Sequence, residues 1–491
     1  MGDHNLSLLS TRLLAVVVVA LLVAGVASAG VRLSSSHAPD KNGQSSVHYP
    51  SAWDPRVEPI AHFVENERGL SFRHPVTVEF LPEATFKKRF ANDKKPTPKE
   101  EAELRDGVGV LRALGLIQGD VDLLSAVSDL AQTQVVGYYD DHTKRISVRG
   151  SDLTPDVRET LAHELTHALQ DQHFDLQRFD DGPAGVETAY RSLYEADAVR
   201  VQDAFDKTLP EDQQQALDFA RSQQAKGANE TGTADNTPEA LADEFEFPYV
   251  FGPAFVALLR RQGGNIGIDR AFERPPRSEA QIVDPQSYLS GVDVVRVPPP
   301  RLGPGQTRVE KPYDVGQVSL LTVLGARVDY GAAWTAVRGW AGDQAVAYRQ
   351  AGRICVAIDT ALRASTNADA FAAAASTWAA GMPPGASAAA TRVNSTTVQL
   401  RSCDPGKDAP GPNPPRPSAF KVLATRSEIV AGALGDGAPY PLATCAADKI
   451  VERVGPPGMA ALADVTDEND PRVKQVIAVA QRAASECARG R

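Results

Sequence analysis

Three residues in one short stretch of the chain have the types and spacing of a hydrolytic metal site. The stretch Thr160–His173, TLAHELTHALQDQH, contains His163, Glu164 and His167 in the order H-E-x-x-H. On an α-helix, residues four apart share a face, so both imidazoles can reach one ion while Glu164 stands beside it. Zinc held there would polarise a carbonyl group and acidify a water, whose proton the carboxylate could take. The pattern therefore predicts a centre with one Zn²⁺ ion and Glu164 as general base.

A catalytic zinc normally has three protein ligands and one open position, so a third ligand is needed. His173 follows His163 at the spacing of the metzincin pattern H-E-x-x-H-x-x-G-x-x-H, in which the glycine breaks the helix. Here Gln170 occupies the glycine position, and nothing around it breaks a helix. In an unbroken helix His173 would lie about 240° around from His167 and face away. The spacing disfavours His173 without excluding it.

A carboxylate from the next helix is the other route to a third ligand. Glu187, Glu195 and Asp197 are available there. Glu195 ranks first, because small alanines surround it in LYEADAVR and would let its helix approach the metal helix closely. Asp197, or Asp203 further along, could accept a hydrogen bond from a ligand histidine and fix its tautomer.

The chain resembles a family of bacterial zincin-like metallopeptidases. The resemblance rests on VVGYYDDHTKRISV, LAHELTHALQDQHFDL and LYEADA, and family-like segments extend from about residue 70 to 350. It implies a gluzincin-type fold, a peptide or protein substrate, and Glu195 as the third ligand, since the family carries E-G-D-A at this point. Ala196 departs from that pattern, and an alanine on a helix should be tolerated.

The residue that stabilises the oxyanion is less clear from the sequence. Many zinc peptidases use a histidine that follows the metal ligands, but no histidine follows His173. A tyrosine or arginine must serve instead. Tyr249 and Tyr288 lie in the family-like segments and are the candidates, although both could equally be ordinary packed tyrosines.

The elements that must position these residues alternate between strands and helices. Thr154 and Pro155 are an N-cap and a first-turn proline, so a helix should begin there and carry the H-E-x-x-H motif. The other predicted elements are a strand at Val76–Leu81, a helix over residues 98–117, a strand pair over Val135–Arg149 that turns at Asp140-Asp141, and a helix over residues 183–207. The predicted fold class is α+β, with a small sheet and active-site helices followed by a mixed, mostly helical region.

Composition shifts divide the chain into six segments. Arg12 precedes an apolar run from Leu13 to Ala24 and a small-x-small site at Ala27–Ala29, which is typical of export. Both a cleaved signal peptide and an uncleaved membrane anchor fit this segment, the only one expected to contact a membrane. The predicted segments are 1–29 signal or anchor, 30–54 linker, 55–300 metallopeptidase domain, 301–403 α/β extension, 404–418 Pro-rich linker and 419–491 helical module.

The four cysteines all lie late in the chain, and their even number predicts disulfides in an exported protein, with buried free thiols as the alternative. Sequential pairing is favoured, Cys355 with Cys403 and Cys445 with Cys487. The first pair would join two strands, GRICVAID and STTVQLRSC, and the second would tie two helices of the C-terminal module.

Charge and composition narrow the function classes. The formal net charge is -11 and no Lys/Arg-rich run occurs, which argues against nucleic acid as a partner. The leading hypothesis is an exported zinc metallopeptidase. The alternative is a catalytically inactive, metal-retaining binding or scaffold protein of the cell envelope, and the C-terminal addition makes it reasonable. The sequence indicates no particular oligomeric state.

Overall fold

A computed structural model gives the fold over most of the chain. The residues it describes are 49–90, 97–126, 136–179, 182–230, 238–412, 415–463, 465 and 471–489. The predicted signal or anchor segment and most of the 30–54 linker lie outside them. Among the described residues, no helix has the length and apolar character needed to cross a membrane.

A three-stranded sheet lies beside the helix that carries the H-E-x-x-H stretch. Its strands are β1 (Thr77–Leu81), β2 (Gly137–Asp140) and β3 (Arg145–Arg149), in the order β1-β3-β2. β1 runs parallel to β3, whereas β2 and β3 form an antiparallel hairpin. The strand pair predicted around Asp140-Asp141 is therefore confirmed, and β2 is an edge strand.

Helices surround this sheet and follow it along the chain. In the first part of the chain they are α1 (Glu58–Arg68), α2 (Glu83–Phe90), α3 (Pro98–Leu114), α4 (Pro155–Phe174), α5 (Ala184–Asp206), α6 (Glu211–Glu230) and α7 (Glu239–Glu273). Helix α4 begins with Pro155 in its first turn, as predicted, although the Thr154 side chain makes no capping hydrogen bond. The helix ends at Asp175, whose φ of 58° is left-handed.

Helix α4 is fixed by an apolar face. Leu161, Leu165 and Leu169 are completely buried, in one cluster with residues of α1 and β3. Their four-residue spacing places them on one side of the helix and leaves the histidine side free to face α5. Burial of each leucine contributes about 2 kcal/mol to the stability of the fold, so these side chains strongly favour one rotation of α4 about its axis.

The rest of the chain builds a second sheet with helices around it. Its elements are α8 (Glu279–Val283), α9 (Pro285–Leu289), β4 (Gln306–Arg308), α10 (Gln317–Gly325), α11 (Tyr330–Val337), β5 (Trp340–Gln350), β6 (Arg353–Leu362), α12 (Ser365–Gly381), β7 (Ala389–Arg392), β8 (Thr397–Cys403), α13 (Ala419–Gly435), α14 (Tyr440–Ala463) and α15 (Pro471–Arg489). The five strands are antiparallel in the order β4-β5-β6-β8-β7. The mixed α and β character predicted from the sequence is confirmed.

Both predicted disulfides are present. Cys355 on β6 lies directly opposite Cys403 on β8 and is bonded to it. Cys445 and Cys487 join α14 to α15. The domain boundaries at residues 300, 403 and 418 stay predictions. The largest apolar cluster extends across all three, from Val110 on α3 to Ala483 on α15.

Candidate metal centre

Two neighbouring helices bring three ligand-type side chains to one point. Helix α4 supplies His163 and His167, and α5 supplies Glu195. The two Nε2 atoms lie 3.0 Å apart, and Glu195 Oε2 lies 3.3 Å from each of them. Within the described part of the chain, this is the only group of three histidine, cysteine or acidic side chains whose ligand atoms all lie within 4.8 Å of one another. The structure therefore contains one possible metal-binding triad.

The amide of Gln170 determines which nitrogen of His167 carries a proton. Gln170 Nε2 donates to the Tyr194 carbonyl and to Asp197 Oδ2, both at 3.0 Å. Those two atoms only accept, so the amide orientation is fixed and Oε1 faces His167 Nδ1 at 3.0 Å. His167 must then donate from Nδ1, which leaves Nε2 with its lone pair. Asp197 thus supports His167 through Gln170, not by the direct contact expected from the sequence.

A second glutamine does the same for His163. Gln202 Nε2 donates to Glu159 Oε1 at 2.5 Å, and Gln202 Oε1 faces His163 Nδ1 at 2.9 Å. Glu159 also pairs with Arg221 on α6. Gln202 therefore occupies the supporting place that the sequence suggested for Asp203 as an alternative to Asp197.

The two orientations together explain what the triad requires. Both imidazoles present bare Nε2 lone pairs to each other, and a carboxylate oxygen completes the group. Three electron-rich atoms so close together repel one another unless a cation or a proton lies between them. A divalent cation that prefers nitrogen and carboxylate ligands fits this donor set.

Burial and charge shift the protonation equilibria of the triad. Burial disfavours the charged form of Glu195, but His167 and His163 outweigh it, and the pKa of Glu195 lies well below its ordinary value. Burial lowers the pKa of His167, but Glu195 more than compensates, so the net shift is upward. Both directions show a centre in which positive charge between the side chains is favourable.

Glu164 stands beside the triad on α4. Its carboxylate is 8% exposed and accepts a hydrogen bond of 2.7 Å from the Tyr139 backbone amide on β2. Burial raises the pKa of Glu164 to about 7, with a smaller lowering from His163 and a further increase from Glu195. A carboxylate whose pKa lies near neutral pH can both accept and release a proton there.

The triad opens into a cleft of about 1270 Å³ between the first sheet and helices α4 to α7. Its walls include the edge strand β2, Phe219 of α6, and Tyr249 of α7. Arg191 of α5 also lines the cleft, with Nε 3.6 Å from Glu195 Oε1. A cleft of this size is large enough for several residues of an extended peptide.

Several residues considered from the sequence lie elsewhere. The Nε2 of His173, in the last turn of α4, lies 2.9 Å from the Ser71 carbonyl, so His173 does not join the triad. Glu187 lies near the start of α5 and is not part of it either. Tyr288 is outside the cleft wall, and its hydroxyl donates to the Arg274 carbonyl at 2.8 Å. The structure therefore does not support Tyr288 as an oxyanion candidate, because its hydroxyl lies outside the cleft and donates its hydrogen bond to a backbone carbonyl.

The residues that follow the second histidine anchor the neighbouring elements to α4. Asp171 accepts hydrogen bonds from the Tyr139 hydroxyl at 2.7 Å and from Lys144 Nζ at 2.5 Å, which ties the β2–β3 hairpin to the helix. Gln172 accepts from the Arg73 amide and donates to the His74 carbonyl. Residues 170–173 thus help to position α4 and hold β2, the strand whose Tyr139 amide donates to Glu164.

Three residues of the centre were not identified from the sequence. Gln170 and Gln202 orient the histidines, and Arg191 lies beside the acidic ligand. Helical spacing from the ligands would have found two of them, because Gln170 follows His167 by three residues and Arg191 precedes Glu195 by four.

The chain matches no protein-family model, and no curated protein and no solved structure is similar to it.

Proposed function

We propose that this protein is an exported zinc-dependent metallopeptidase. His163, His167 and Glu195 would hold the ion, and Glu164 would act as general base. The observation that carries the proposal is the pair of glutamine-oriented imidazoles whose bare Nε2 atoms meet a carboxylate beside an open cleft. The sequence resemblance to zincin-like metallopeptidases supports the same ligands and the same base.

Zinc fits the donor set better than the hard divalent cations. Mg²⁺ and Ca²⁺ take six or more oxygen ligands, whereas catalytic zinc takes three protein ligands, commonly three histidines or two histidines with a glutamate, and keeps one position open. Bound between His163, His167 and Glu195, zinc would supply Lewis-acid polarisation of a carbonyl and a water of lowered pKa.

Glu164 would carry the proton through the reaction. Its carboxylate accepts a proton from the attacking water as the water oxygen bonds to the carbonyl carbon. It then delivers that proton to the amide nitrogen as the carbon–nitrogen bond breaks, which releases an amine and a carboxylic acid. The Tyr139 amide, which donates to Glu164 Oε2 at 2.7 Å, would orient the carboxylate for both transfers.

The edge strand supports a peptide as substrate. Within the described part of the chain, β2 pairs with β3 on one side only, and residues 136–141 line the cleft. An extended peptide can add to the free side of an edge strand through backbone hydrogen bonds. This would place a scissile bond alongside Glu164, which is bonded to the same strand.

The disulfides support export. Cys355–Cys403 and Cys445–Cys487 are both formed, and stable disulfides are characteristic of oxidising compartments. The apolar run from Leu13 to Ala24 would direct the chain there as a signal peptide or as an anchor.

The test combines metal content with cleavage of a peptide library. The wild-type chain should bind about one zinc ion and cleave peptides, and a chelator should abolish cleavage. Glu164→Gln should keep the zinc and the fold but lower kcat by a factor of about 10³ or more. Asp156→Asn, which changes a cleft-lining carboxylate on the same helix, is the matched control and should stay active.

Two outcomes would reject the proposal. Cleavage that persists in Glu164→Gln and in the presence of chelator would exclude the mechanism. A wild-type chain with full zinc content and no cleavage of any peptide would favour the envelope scaffold protein instead.

A further inference from the structure

Arg191 is a buried cation beside the metal centre. It lies on α5, one turn before Glu195, and is 7% exposed. Its Nε lies 3.6 Å from Glu195 Oε1, while its Nη2 is buried and finds no hydrogen-bond partner among the described residues. A buried charged donor without a partner costs several kcal/mol, so its retention calls for an explanation.

Arg191 differs from the other two arginines of the cleft wall. Arg149 lies 3.4 Å from Glu83, and Arg221 contacts Glu159 and Asp206. Glu83, Glu159 and Asp206 are not part of the triad, so a cation bound there would not compete for their charge. Among the residues that the structure describes, the one carboxylate at salt-bridge distance from Arg191 is Glu195, whose charge a bound cation would share. Arg191 is thus the cleft arginine whose carboxylate partner belongs to the triad, so a bound cation would leave its positive charge less neutralised.

Other groups around Arg191 come from α7. The Phe245 ring lies 5.9 Å from the guanidinium, and the phenol of Tyr249 interacts with both Arg191 and Glu195. Glu244 of α7 is buried nearby and interacts with Arg191 at longer range. Tyr249 lines the cleft and carries a hydroxyl donor at neutral pH. Arg191 and Tyr249 therefore both line the cleft together with Glu195.

We infer that Arg191 and Tyr249 together stabilise the negative charge that develops on the scissile carbonyl oxygen, a role that rests on the proposed peptidase function. The tetrahedral species carries one more negative charge on that oxygen than the peptide does. A fixed cation and a hydroxyl in a water-poor cleft stabilise this species more than the uncharged carbonyl. This pair takes the role of the histidine that is absent after His173.

The competing explanation is that Arg191 only orients Glu195, and the two roles predict different binding changes. The probes are zinc alone, an alanine-based phosphinic tripeptide analogue, and the parent tripeptide amide. The phosphinate resembles the charged tetrahedral species, whereas the parent peptide resembles the uncharged ground state. Calorimetric titration of the metal-free chain with zinc, and of the zinc-loaded chain with each of the two peptides, measures these affinities directly.

Arg191→Met should raise the Kd for the phosphinate by a factor of about 100, the lower end of the range for a single oxyanion donor, and Tyr249→Phe by about 10, because the Arg191 charge remains. The Kd values for zinc and for the parent peptide should change by less than about threefold, because Arg191 lies at Glu195 Oε1 and not at the oxygen that faces the histidines, and because groups that act on the tetrahedral species leave ground-state binding nearly unchanged. Arg191→Lys keeps the charge but has no Nη2, so it should lie between the wild type and Arg191→Met. The control is Arg112→Met, which removes a largely buried arginine paired with Asp404 outside the cleft.

Each other outcome is decisive. Zinc affinity that falls with Arg191→Met and Arg191→Lys while phosphinate preference is unchanged would show a purely orienting role. A zinc-loaded wild-type chain that binds the phosphinate no better than the parent peptide would also overturn the inference. Should Arg191→Met fail to fold, Arg191→Lys and Tyr249→Phe decide the question. Failure of the wild-type chain to bind zinc would reject the proposed function itself.

Discussion

Replacement of Gln170 by leucine tests how the histidine ligands are held. Leucine has nearly the volume of glutamine but cannot accept the Nδ1–H of His167, which Gln170 accepts at 3.0 Å. Gln170 is completely buried, so water cannot take over this contact. His167 would then lose the bond that holds Nδ1 protonated and Nε2 free. Loss of such a support typically lowers metal affinity by about 10- to 100-fold.

The structure also gives a stability cost for this variant. Asp197 keeps its contacts with Arg68 at 2.8 Å and with Arg200 at 3.1 Å, so it stays paired. The main new defect is one buried N–H of His167 without an acceptor, which costs about 1–3 kcal/mol. We therefore expect the metal-free variant to unfold at lower urea concentration, in addition to its weaker zinc binding.

Gln172→Leu is the matched control, because it changes the same residue type on the same helix. Gln172 bonds to the backbone of Arg73 and His74 and contacts no ligand. Its loss should cost about 1–2 kcal/mol of stability and leave zinc affinity unchanged. Zinc affinity is measured by competition with a chromophoric chelator, and stability by urea unfolding of the metal-free chain. Equal zinc affinity in the two variants would refute the reasoning.

Three further predictions concern stability. Burial raises the pKa of Glu279 from 4.5 to about 8. Between these pH values the folded chain holds a proton that the unfolded chain has released. The free energy of unfolding therefore falls as the pH rises, by up to about 1.4 kcal/mol per pH unit. Glu279→Gln should reduce this slope in urea titrations at several pH values, and an unchanged slope would contradict the assignment. Replacing Cys355 and Cys403 by serine opens a bridge that spans 48 residues and should cost about 2–4 kcal/mol in thermal unfolding under non-reducing conditions; an unchanged melting temperature would speak against a stabilising role. Gly252→Ala should lower the free energy of unfolding by about 1–3 kcal/mol, because its Cβ would lie 2.5 Å from the Ser192 carbonyl oxygen. Gly432→Ala, with open space around it, should raise the free energy of unfolding by about 0.5–1 kcal/mol. Equal effects of the two variants would contradict this reasoning.

Local periodicity explains why the triad could be predicted. His163 and His167 share a helix face by spacing alone, and Glu195 stands among small residues on the next helix. The cysteine-bearing strands and the β2–β3 hairpin could also be predicted from the sequence, because short-range patterns indicate their pairing. Zinc itself and peptidase activity stay proposals, since a donor set limits the choice of metal and reaction without identifying either.

Long-range packing explains what the sequence could not predict. The place of Tyr288 depends on the course of the chain through and beyond α7, inside which Gly264 interrupts the helix with a φ of 58°. The apolar cluster that extends from Val110 to Ala483 likewise depends on contacts between residues hundreds of positions apart. No local pattern encodes such contacts, so the segment boundaries were drawn from composition alone.

Ala196 shows how closely α5 approaches α7. The E-G-D-A pattern has a glycine at this position, whereas Ala196 places a methyl group next to Glu195. In the structure that methyl group faces Gly252 of α7, and a Cβ added at Gly252 would lie 2.7 Å from it. The space is therefore provided by the glycine of the partner helix. Because Glu195 precedes Ala196 on α5, this close packing also sets the rotation that turns the carboxylate toward His163 and His167.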